Sequence, residues 1–227
     1  MPLSGISRCP NLKRCSMICV SIGDPLQIPE AVRLGAELVE LRLDLIGVEP
    51  GKLFSEIPQQ LQVIATCRPG GLSDDQRKDL LNTSVDLGAT YVDLEIESSE
   101  AYYHEMAGYA AGKGCRVIVS YHNFEMTPDR DRLRTILEKA YDMGAAVGKI
   151  ATEVRSGEDV MNLLSLYDLP GKKVVIGMGE KGRIIRVAAP YLGSEFTFAS
   201  ADRGPETASG QLSVRQLNTI FEIIGPS

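Results

Sequence analysis

The sequence predicts a single-domain α/β protein with the architecture of a (β/α)8 TIM barrel. Short β-branched runs alternate along the chain with longer segments of helical periodicity. Eight such runs occur in 227 residues, close to the ~250 residues usual for this barrel. No linker or change of composition divides the chain. Strand–helix alternation implies parallel strands joined by right-handed crossovers. An open doubly wound sheet is the alternative, but no G-x-G-x-x-G motif follows the first strand.

The predicted strands cover residues 16–22, 37–43, 62–67, 90–96, 115–122, 146–152, 173–178 and 196–200. Between them, helical periodicity is clearest over residues 74–88, 100–114, 127–144 and 157–169. Gly88, Gly114 and Gly144 stand where helices are typically capped. We expect residues 1–15 to form an irregular N-terminal extension and residues 16–227 to form the barrel domain.

Composition excludes several classes of function. The net charge of −6 argues against a general nucleic-acid surface. The five cysteines are scattered, and no C-x-x-C or neighbouring histidine accompanies them, so we expect free thiols in a reducing cytoplasm and no metal site. No continuous apolar segment resembles a signal peptide or a membrane span. These features predict a cytoplasmic protein without nucleic-acid or membrane partners.

Polar residues accumulate where the predicted strands end, which is where barrels of this kind carry their chemistry. Strand two ends in Glu40-Leu-Arg42-Leu-Asp44, whose alternation would place the three charged residues on one face. Inward charges are costly unless they pair or bind a polar ligand. A purely structural ion-pair network is the alternative. Strands three and four contribute further polar residues at their ends, namely Arg68, Asp93 and Glu95.

Lys149 lies in the apolar, small-residue run GAAVGKIATEV, residues 144–154. A desolvated amine is neutral and can attack a carbonyl group, whereas a lysine on an edge strand would simply point to solvent. His122 follows strand five, where an imidazole with an ordinary pKa near ~6.5 can serve as acid and base. His104 falls in a helical segment, where a surface or packing role is expected.

The segment after strand seven, residues 177–186, contains glycines and two arginines. Its spacing is not that of a phosphate-binding P-loop, and Arg183 and Arg186 are better suited to clamp a carboxylate. Residues 201–214 form a polar loop that could cover the barrel mouth. Together the strand ends indicate imine chemistry on a carbonyl compound that carries an anionic group, as in a Schiff-base lyase or an aldolase.

Five motifs carry a family resemblance: ELRLD (40–44), VIVSYHNFEMTP (117–128), VGKIA (147–151), MGEKGRIIR (178–186) and SGQLSV (209–214). In this order and spacing the chain, from about Ser16 to its C-terminus, resembles the type I 3-dehydroquinate dehydratases. The resemblance implies a (β/α)8 barrel of the shikimate pathway of aromatic amino acid biosynthesis. It also implies that no metal or organic cofactor is needed. Because such enzymes are often dimers, it raises a homodimer as the assembly to test.

The resemblance implies a role for each matching position. Lys149 would form an imine with the C3 ketone of 3-dehydroquinate. His122 would remove the C2 proton and protonate the departing C1 hydroxyl, so that water leaves with syn geometry. Arg186 would hold the substrate carboxylate. The substrate-binding positions are Ser21, Glu40, Arg42, Arg68, Arg186, Thr207 and Gln211, and the supporting positions are Asp93 and Phe198.

Two positions depart from the family pattern. Relatives often carry a glutamate a few residues after the arginine of strand three, but here Arg68 is followed by Pro69-Gly70-Gly71, so we expect no carboxylate partner for His122 from that loop. Relatives often carry serine where this chain has Thr207, which keeps the hydroxyl. A class I aldolase would want a phosphate site, and a non-catalytic barrel would not need both Lys149 and His122.

Overall fold

The computed structural model describes residues 17–202 and 207–225. The predicted extension, residues 1–15, lies outside the described residues, as do Cys9 and Cys15. All eight predicted strands are confirmed, each within one residue of its predicted bounds. They are β1 (Met17–Ile22), β2 (Leu38–Arg42), β3 (Gln62–Thr66), β4 (Tyr91–Glu95), β5 (Arg116–Asn123), β6 (Val147–Glu153), β7 (Lys173–Met178) and β8 (Phe196–Ser200).

The described helices are α1 (Ile28–Arg33), α2 (Leu43–Ile46), α3 (Pro50–Ser55), α4 (Asp74–Asp86), α5 (Glu100–Gly112), α6 (Arg130–Asp142), α7 (Gly157–Leu164), α8 (Arg183–Leu192) and α9 (Val214–Ile224). The four predicted helices are confirmed as α4 to α7, and each begins after a Ser or Asp whose side chain accepts a backbone N–H of the first turn. None of the described helices is long and apolar enough to cross a membrane.

Three glycines end these helices as predicted. Gly88, Gly114 and Gly144 have φ of 97°, 75° and 89°, the left-handed region that favours glycine at a helix C-terminus. The predicted placement of Asp44 on the face of strand two is wrong. Leu43 begins α2, so strand two ends at Arg42 and Asp44 lies on a helix and not on the strand face. Asp44 still pairs with Arg42, at 2.7 Å between carboxylate and guanidinium.

The strands form one parallel sheet in the order β7-β6-β5-β4-β3-β2-β1-β8. Glu195, just before β8, donates its backbone N–H to the Lys173 carbonyl at the start of β7 at 3.0 Å, which brings the two ends of the sheet together. The result is the nearly closed (β/α)8 barrel that strand–helix alternation predicts.

Alternate strand residues pack into two cores. Residues such as Val39, Val63, Val92 and Val119 face outward into an apolar layer shared with the helices. Their neighbours Leu38, Ile64, Tyr91, Ile118 and Phe196 face inward and fill the lower part of the barrel. Because the barrel is closed below by these side chains, a cavity can open only at the upper end, where the strands terminate.

Candidate active site

A cavity of about 130 Å³ lies at the upper end of the barrel. Nine of the predicted site residues line it: Glu40, Arg42, Arg68, His122, Lys149, Arg186, Phe198, Thr207 and Gln211. The other two, Ser21 and Asp93, are buried and hydrogen-bond residues that line it. The structure therefore brings together the eleven residues predicted to form the site, whereas Arg183 and His104 do not line the cavity.

Lys149 projects from β6 into this cavity and is only 4% exposed. The predicted burial is confirmed, but the surroundings of the amine are charged as well as apolar. Its Nζ lies 2.8 Å from Asp93 Oδ2 and 3.3 Å from Glu40 Oε1. It also stands over the ring of Phe198, 4.4 Å from the centroid. The site is therefore built to hold a positive charge at the end of this side chain.

Glu40, on β2, is fixed by hydroxyl groups from the strands on either side. Ser21 of β1 donates to Oε2 at 2.6 Å, and Thr66 of β3 donates to Oε1 at 3.0 Å. Burial raises the pKa of Glu40, but the charges of Lys149 and Arg68 outweigh it and leave that pKa below its ordinary value. Glu40 is thus held as a carboxylate in a fixed orientation.

Asp93, on β4, stands between two cations. Arg68 Nη1 and Nη2 each donate to one of its oxygens at 3.0 Å, and Ser120 Oγ donates to Oδ1 at 2.5 Å. Burial raises the pKa of Asp93, but Arg68 and Lys149 outweigh it and hold that pKa well below its ordinary value. The carboxylate orients Arg68 and Lys149 together.

His122 extends from the end of β5, and its ring stacks on Phe124 at 6.1 Å between centroids. Burial lowers the pKa of the imidazole well below its ordinary value, and the charges of Arg68 and Lys149 act in the same direction. The ring is therefore neutral at pH 7, which is the form that accepts a proton. Its Nδ1 lies 4.0 Å from Glu95 Oε1, the nearest carboxylate oxygen among the described residues.

Arg186 reaches the cavity from the first turns of α8 and is 1% exposed. The close packing of α8 on β7 depends on two glycines: a Cβ at Gly177 would lie 2.7 Å from the Cα of Gly182. Arg186 Nη1 donates to the Phe198 carbonyl at 3.4 Å. Arg183, the other candidate clamp, is exposed on the same helix. A buried guanidinium in the cavity wall is suited to bind an anion.

Of the predicted lid, residues 201–214, the structure describes 201–202 and 207–214, and the segment 207–211 folds against the cavity. The Thr207 backbone N–H donates to Gln211 Oε1 at 3.2 Å, and Gln211 Nε2 donates to the Thr207 hydroxyl oxygen at 3.1 Å. Arg42 Nη1 donates to the Thr207 carbonyl at 3.4 Å. A Cβ at Gly210 would lie 2.4 Å from the Gly179 carbonyl oxygen, so only glycine allows this approach to β7. Thr207 and Gln211 are thus held at the cavity mouth.

Several cavity residues were not singled out from the sequence. They are Phe124, Ala151, Ile176, Met178 and Ala208. Ile176 and Met178 alternate with outward-facing residues on β7, so the strand period carried a signal for them. Phe124 stands two residues after His122 in the loop beyond β5, where no periodicity indicates direction. No cluster of His, Cys, Asp and Glu suited to a metal ion occurs within residues 17–202 and 207–225.

The model of the Type I 3-dehydroquinase family matches residues 19–227. The chain belongs to this family. A 3-dehydroquinate dehydratase from Desulfotalea psychrophila is 35% identical over 219 residues, covering 90% of this chain and 96% of the relative. One from Methanococcus maripaludis strain C6 is 35% identical over 222 residues, covering 92% of this chain and 100% of the relative.

Solved structures share the fold of this chain. The 3-dehydroquinate dehydratase of Aquifex aeolicus matches with a TM-score of 0.81 at 29% identity, covering 93% of this chain and 100% of that one. The enzyme of Geobacillus kaustophilus matches in fold with a TM-score of 0.83 at 23% identity, covering 92% of this chain and 91% of that one. As a type I 3-dehydroquinate dehydratase by family, the chain is a hydro-lyase, and the family places it in the shikimate pathway.

Proposed function

We propose that the protein dehydrates 3-dehydroquinate to 3-dehydroshikimate through an imine on Lys149. The observation that carries the proposal is the position of this amine. Lys149 is buried, and it is the one lysine among the described residues that line the cavity. Its ammonium must lose a proton before attack, and the neutral imidazole of His122 in the same cavity is a base available for that proton.

The amine attacks the C3 ketone, and loss of one water gives a protonated imine. Asp93 and Glu40, which contact the ammonium in the structure, then face a positive charge that persists as the iminium. The iminium draws electrons from the C2–H bond and thereby acidifies that proton. The carboxylates beside Lys149 therefore stabilise the iminium, which is the electron sink of the reaction, as well as the ammonium of the free enzyme.

His122 is assigned both proton transfers. As a neutral ring it takes the C2 proton, leaving an enamine, and as an imidazolium it returns a proton to the C1 hydroxyl. That hydroxyl departs as water when the enamine electrons re-form the iminium, now conjugated with the new double bond. One base acting at both carbons requires syn elimination. A further water hydrolyses the iminium, which releases 3-dehydroshikimate and restores Lys149.

The remaining residues are proposed to bind the substrate. The buried guanidinium of Arg186 pairs with the substrate carboxylate. Glu40, Arg42 and Arg68 bind the ring hydroxyls. Ser21 and Asp93 hold Glu40 and Arg68 in place through hydrogen bonds. Thr207 and Gln211 cover the bound ring from the cavity mouth, and Phe198 lies against the iminium.

Borohydride trapping tests the proposal. Reduction in the presence of 3-dehydroquinate or 3-dehydroshikimate should add the ligand mass to the enzyme, and peptide mapping should place it on Lys149. Lys173 is an internal control, because it is equally buried, at 4% exposed, but its Nζ donates to the Leu169 and Gly171 carbonyls away from the cavity. Mass on another lysine, or no adduct from an enzyme that produces the ultraviolet-absorbing enone, would refute the imine.

A further inference from the structure

The ring of His122 has an edge that faces away from solvent. Its Nδ1 is buried, and no residue of the described segments hydrogen-bonds it. Buried ring nitrogens usually have a partner, because an unsatisfied polar atom away from water is costly. The nearest acidic oxygen is Glu95 Oε1, 4.0 Å away. Glu95 ends β4 opposite Ser120 of β5, and His122 follows two residues later on the same strand.

The charged groups around this imidazole come from four strands and their ends. Among the described residues they include Arg42, Arg68, Asp93, Glu95 and Lys149, and Glu40 lines the same cavity. Two of the three carboxylates are already engaged: Asp93 accepts hydrogen bonds from Arg68, Ser120 and Lys149, and Glu40 accepts them from Ser21, Thr66 and Lys149. Glu95 is contacted through Oε1 by Arg68 Nη1 at 3.4 Å, which holds its carboxylate beside the ring. After Arg68 the chain continues as Pro69-Gly70-Gly71, which offers no acidic side chain at this edge.

We propose that Glu95 is a positioning residue that accepts the Nδ1–H of His122 and so fixes the ring tautomer. With the proton on Nδ1, Nε2 is the basic nitrogen left for the cavity. The inference rests on the role proposed above for His122. The 4.0 Å separation exceeds a hydrogen bond by about 1 Å, which a small rotation of either side chain closes. Catalytic hydrogen bonds are often long without ligand and tighten when it binds.

A hydrogen bond from His122 Nδ1 to Glu95 would help the ring both to accept the C2 proton and to return a proton to the C1 hydroxyl. Without an acceptor at Nδ1, a neutral histidine divides between two tautomers, and only one of them presents a base at Nε2. When Nε2 then takes a proton, the imidazolium is surrounded by Arg68 and Lys149. A carboxylate at Nδ1 balances that charge. Burial raises the pKa of Glu95 and Arg68 only partly offsets it, so this carboxylate is a comparatively strong acceptor.

The chain offers an unusually simple test, because it contains two histidines. Enzyme labelled with ¹⁵N-histidine should give two imidazole spin systems, and His104→Gln identifies the one from His104, whose side chain is 72% exposed. In the wild-type enzyme with bound product, the His122 ring should carry its proton on Nδ1, and Nε2 should show the shift of an unprotonated nitrogen. A ring protonated on Nε2 would overturn the proposal, whatever the variants do.

Glu95→Gln supplies the second arm. Its amide can donate to Nδ1, so the Nε2–H tautomer should appear, kcat should fall by about 10–100-fold, and KM should stay within about threefold. Removal of the negative charge should also move the acid limb of kcat/KM to lower pH. Glu97→Gln, the same change two residues further on an exposed side chain, should leave the tautomer, kcat, KM and the acid limb unchanged.

The outcomes distinguish this inference from the proposed function. An unchanged tautomer and acid limb in Glu95→Gln would overturn the positioning role, even if the rate fell. If Glu95→Gln does not fold, the wild-type tautomer still decides. Borohydride should trap the adduct on Lys149 in Glu95→Gln as in the wild type. A missing adduct in both proteins would instead contradict the imine mechanism.

Discussion

The lower and upper halves of the barrel interior are made by the same strands and have opposite chemistry. On each of five neighbouring strands, an apolar inward-facing side chain is followed two residues later by a polar one. The pairs are Leu38 and Glu40, Ile64 and Thr66, Tyr91 and Asp93, Ile118 and Ser120, and Val147 and Lys149. Because strand side chains alternate with a period of two, each pair occupies successive levels of one barrel.

The difference shows what each half contributes. Apolar packing below stabilises the fold, since each large buried side chain contributes roughly 1.5–3 kcal/mol. Ion pairs in a buried layer stabilise little, because desolvation offsets their attraction, yet removing one partner is costly. The upper layer is therefore explained by what it binds. Variants of the lower layer should change stability first, and variants of the upper layer should change turnover first.

Two buried lysines give the largest expected contrast. Lys149→Ala removes the proposed nucleophile, so turnover should fall below detection and borohydride should trap no adduct. Lys173→Ala removes a side chain that is equally buried but bonds loop carbonyls. It should keep normal turnover and lose about 1–3 kcal/mol of unfolding free energy. Activity of Lys149→Ala, or inactivity of folded Lys173→Ala, would reverse the assignment.

His122→Ala should have the next largest effect. It removes the proton shuttle but leaves the amine, so turnover should fall by about 10²–10⁴-fold while an adduct on Lys149 still forms. Intact mass after incubation with ligand and borohydride checks this division of labour. Normal turnover would assign the proton transfer to another cavity residue, and Glu40 would be examined first.

Arg186→Ala should weaken binding of the substrate carboxylate. The loss in kcat/KM should correspond to about 2–5 kcal/mol, because a buried charge pair is broken. Arg183→Ala is the matched control, since it removes the same side chain from an exposed position on the same helix. If Arg183→Ala shows the larger loss, the anion site lies outside the cavity wall described above.

Phe196 and Phe198 offer a smaller and closely matched comparison on one strand. Phe196 packs in the lower layer, and Phe198 lies against Lys149 in the upper one. Phe196→Leu should cost about 1–2 kcal/mol of unfolding free energy and leave kcat/KM unchanged. Phe198→Leu should lower kcat/KM by a factor that corresponds to about 0.5–2 kcal/mol, because the cation–π contact is lost. Equal kinetic effects in the two variants would show that the layers are not functionally distinct.

Much of this arrangement could be predicted from the sequence, because it follows from local periodicity. The eight strands, the helices between them and the inward direction of Glu40 and Lys149 need only the strand period and the barrel rule. The surroundings of Lys149 could not be predicted in this way. Its two carboxylate partners stand 109 and 56 residues away, so no local pattern records the contact. The proximity of His122 and Glu95 is likewise created by strand pairing alone.

The end of strand two shows a different limit. The spacing of Glu40, Arg42 and Asp44 fits a strand that continues to Asp44. It fits equally well a strand that ends at Arg42 and is followed by a helix that contains Asp44. In the structure the backbone turns at Leu43, and Asp44 reaches Arg42 from α2. Short polar segments at strand ends are poorly determined by periodicity, since few residues remain to establish a period. Strand ends are also where the functional residues lie.

The protonation of His122 in the upper layer should lower kcat/KM only at acidic pH, so its effect near pH 7 is the smallest expected here. Burial, Arg68 and Lys149 lower the pKa of His122, so the ring should stay neutral at pH values where an ordinary histidine is already protonated. The kinetic base is lost only when the ring is protonated as pH falls through that lowered pKa. The acid limb of kcat/KM should therefore lie below pH ~6.5, the ordinary value for histidine, with rates near pH 7 unaffected. Phe196→Leu, which alters only the lower layer, should leave this limb in place. An acid limb above pH ~6.5 in the wild-type enzyme would mean that the carboxylates, and not the cations, dominate the field at His122.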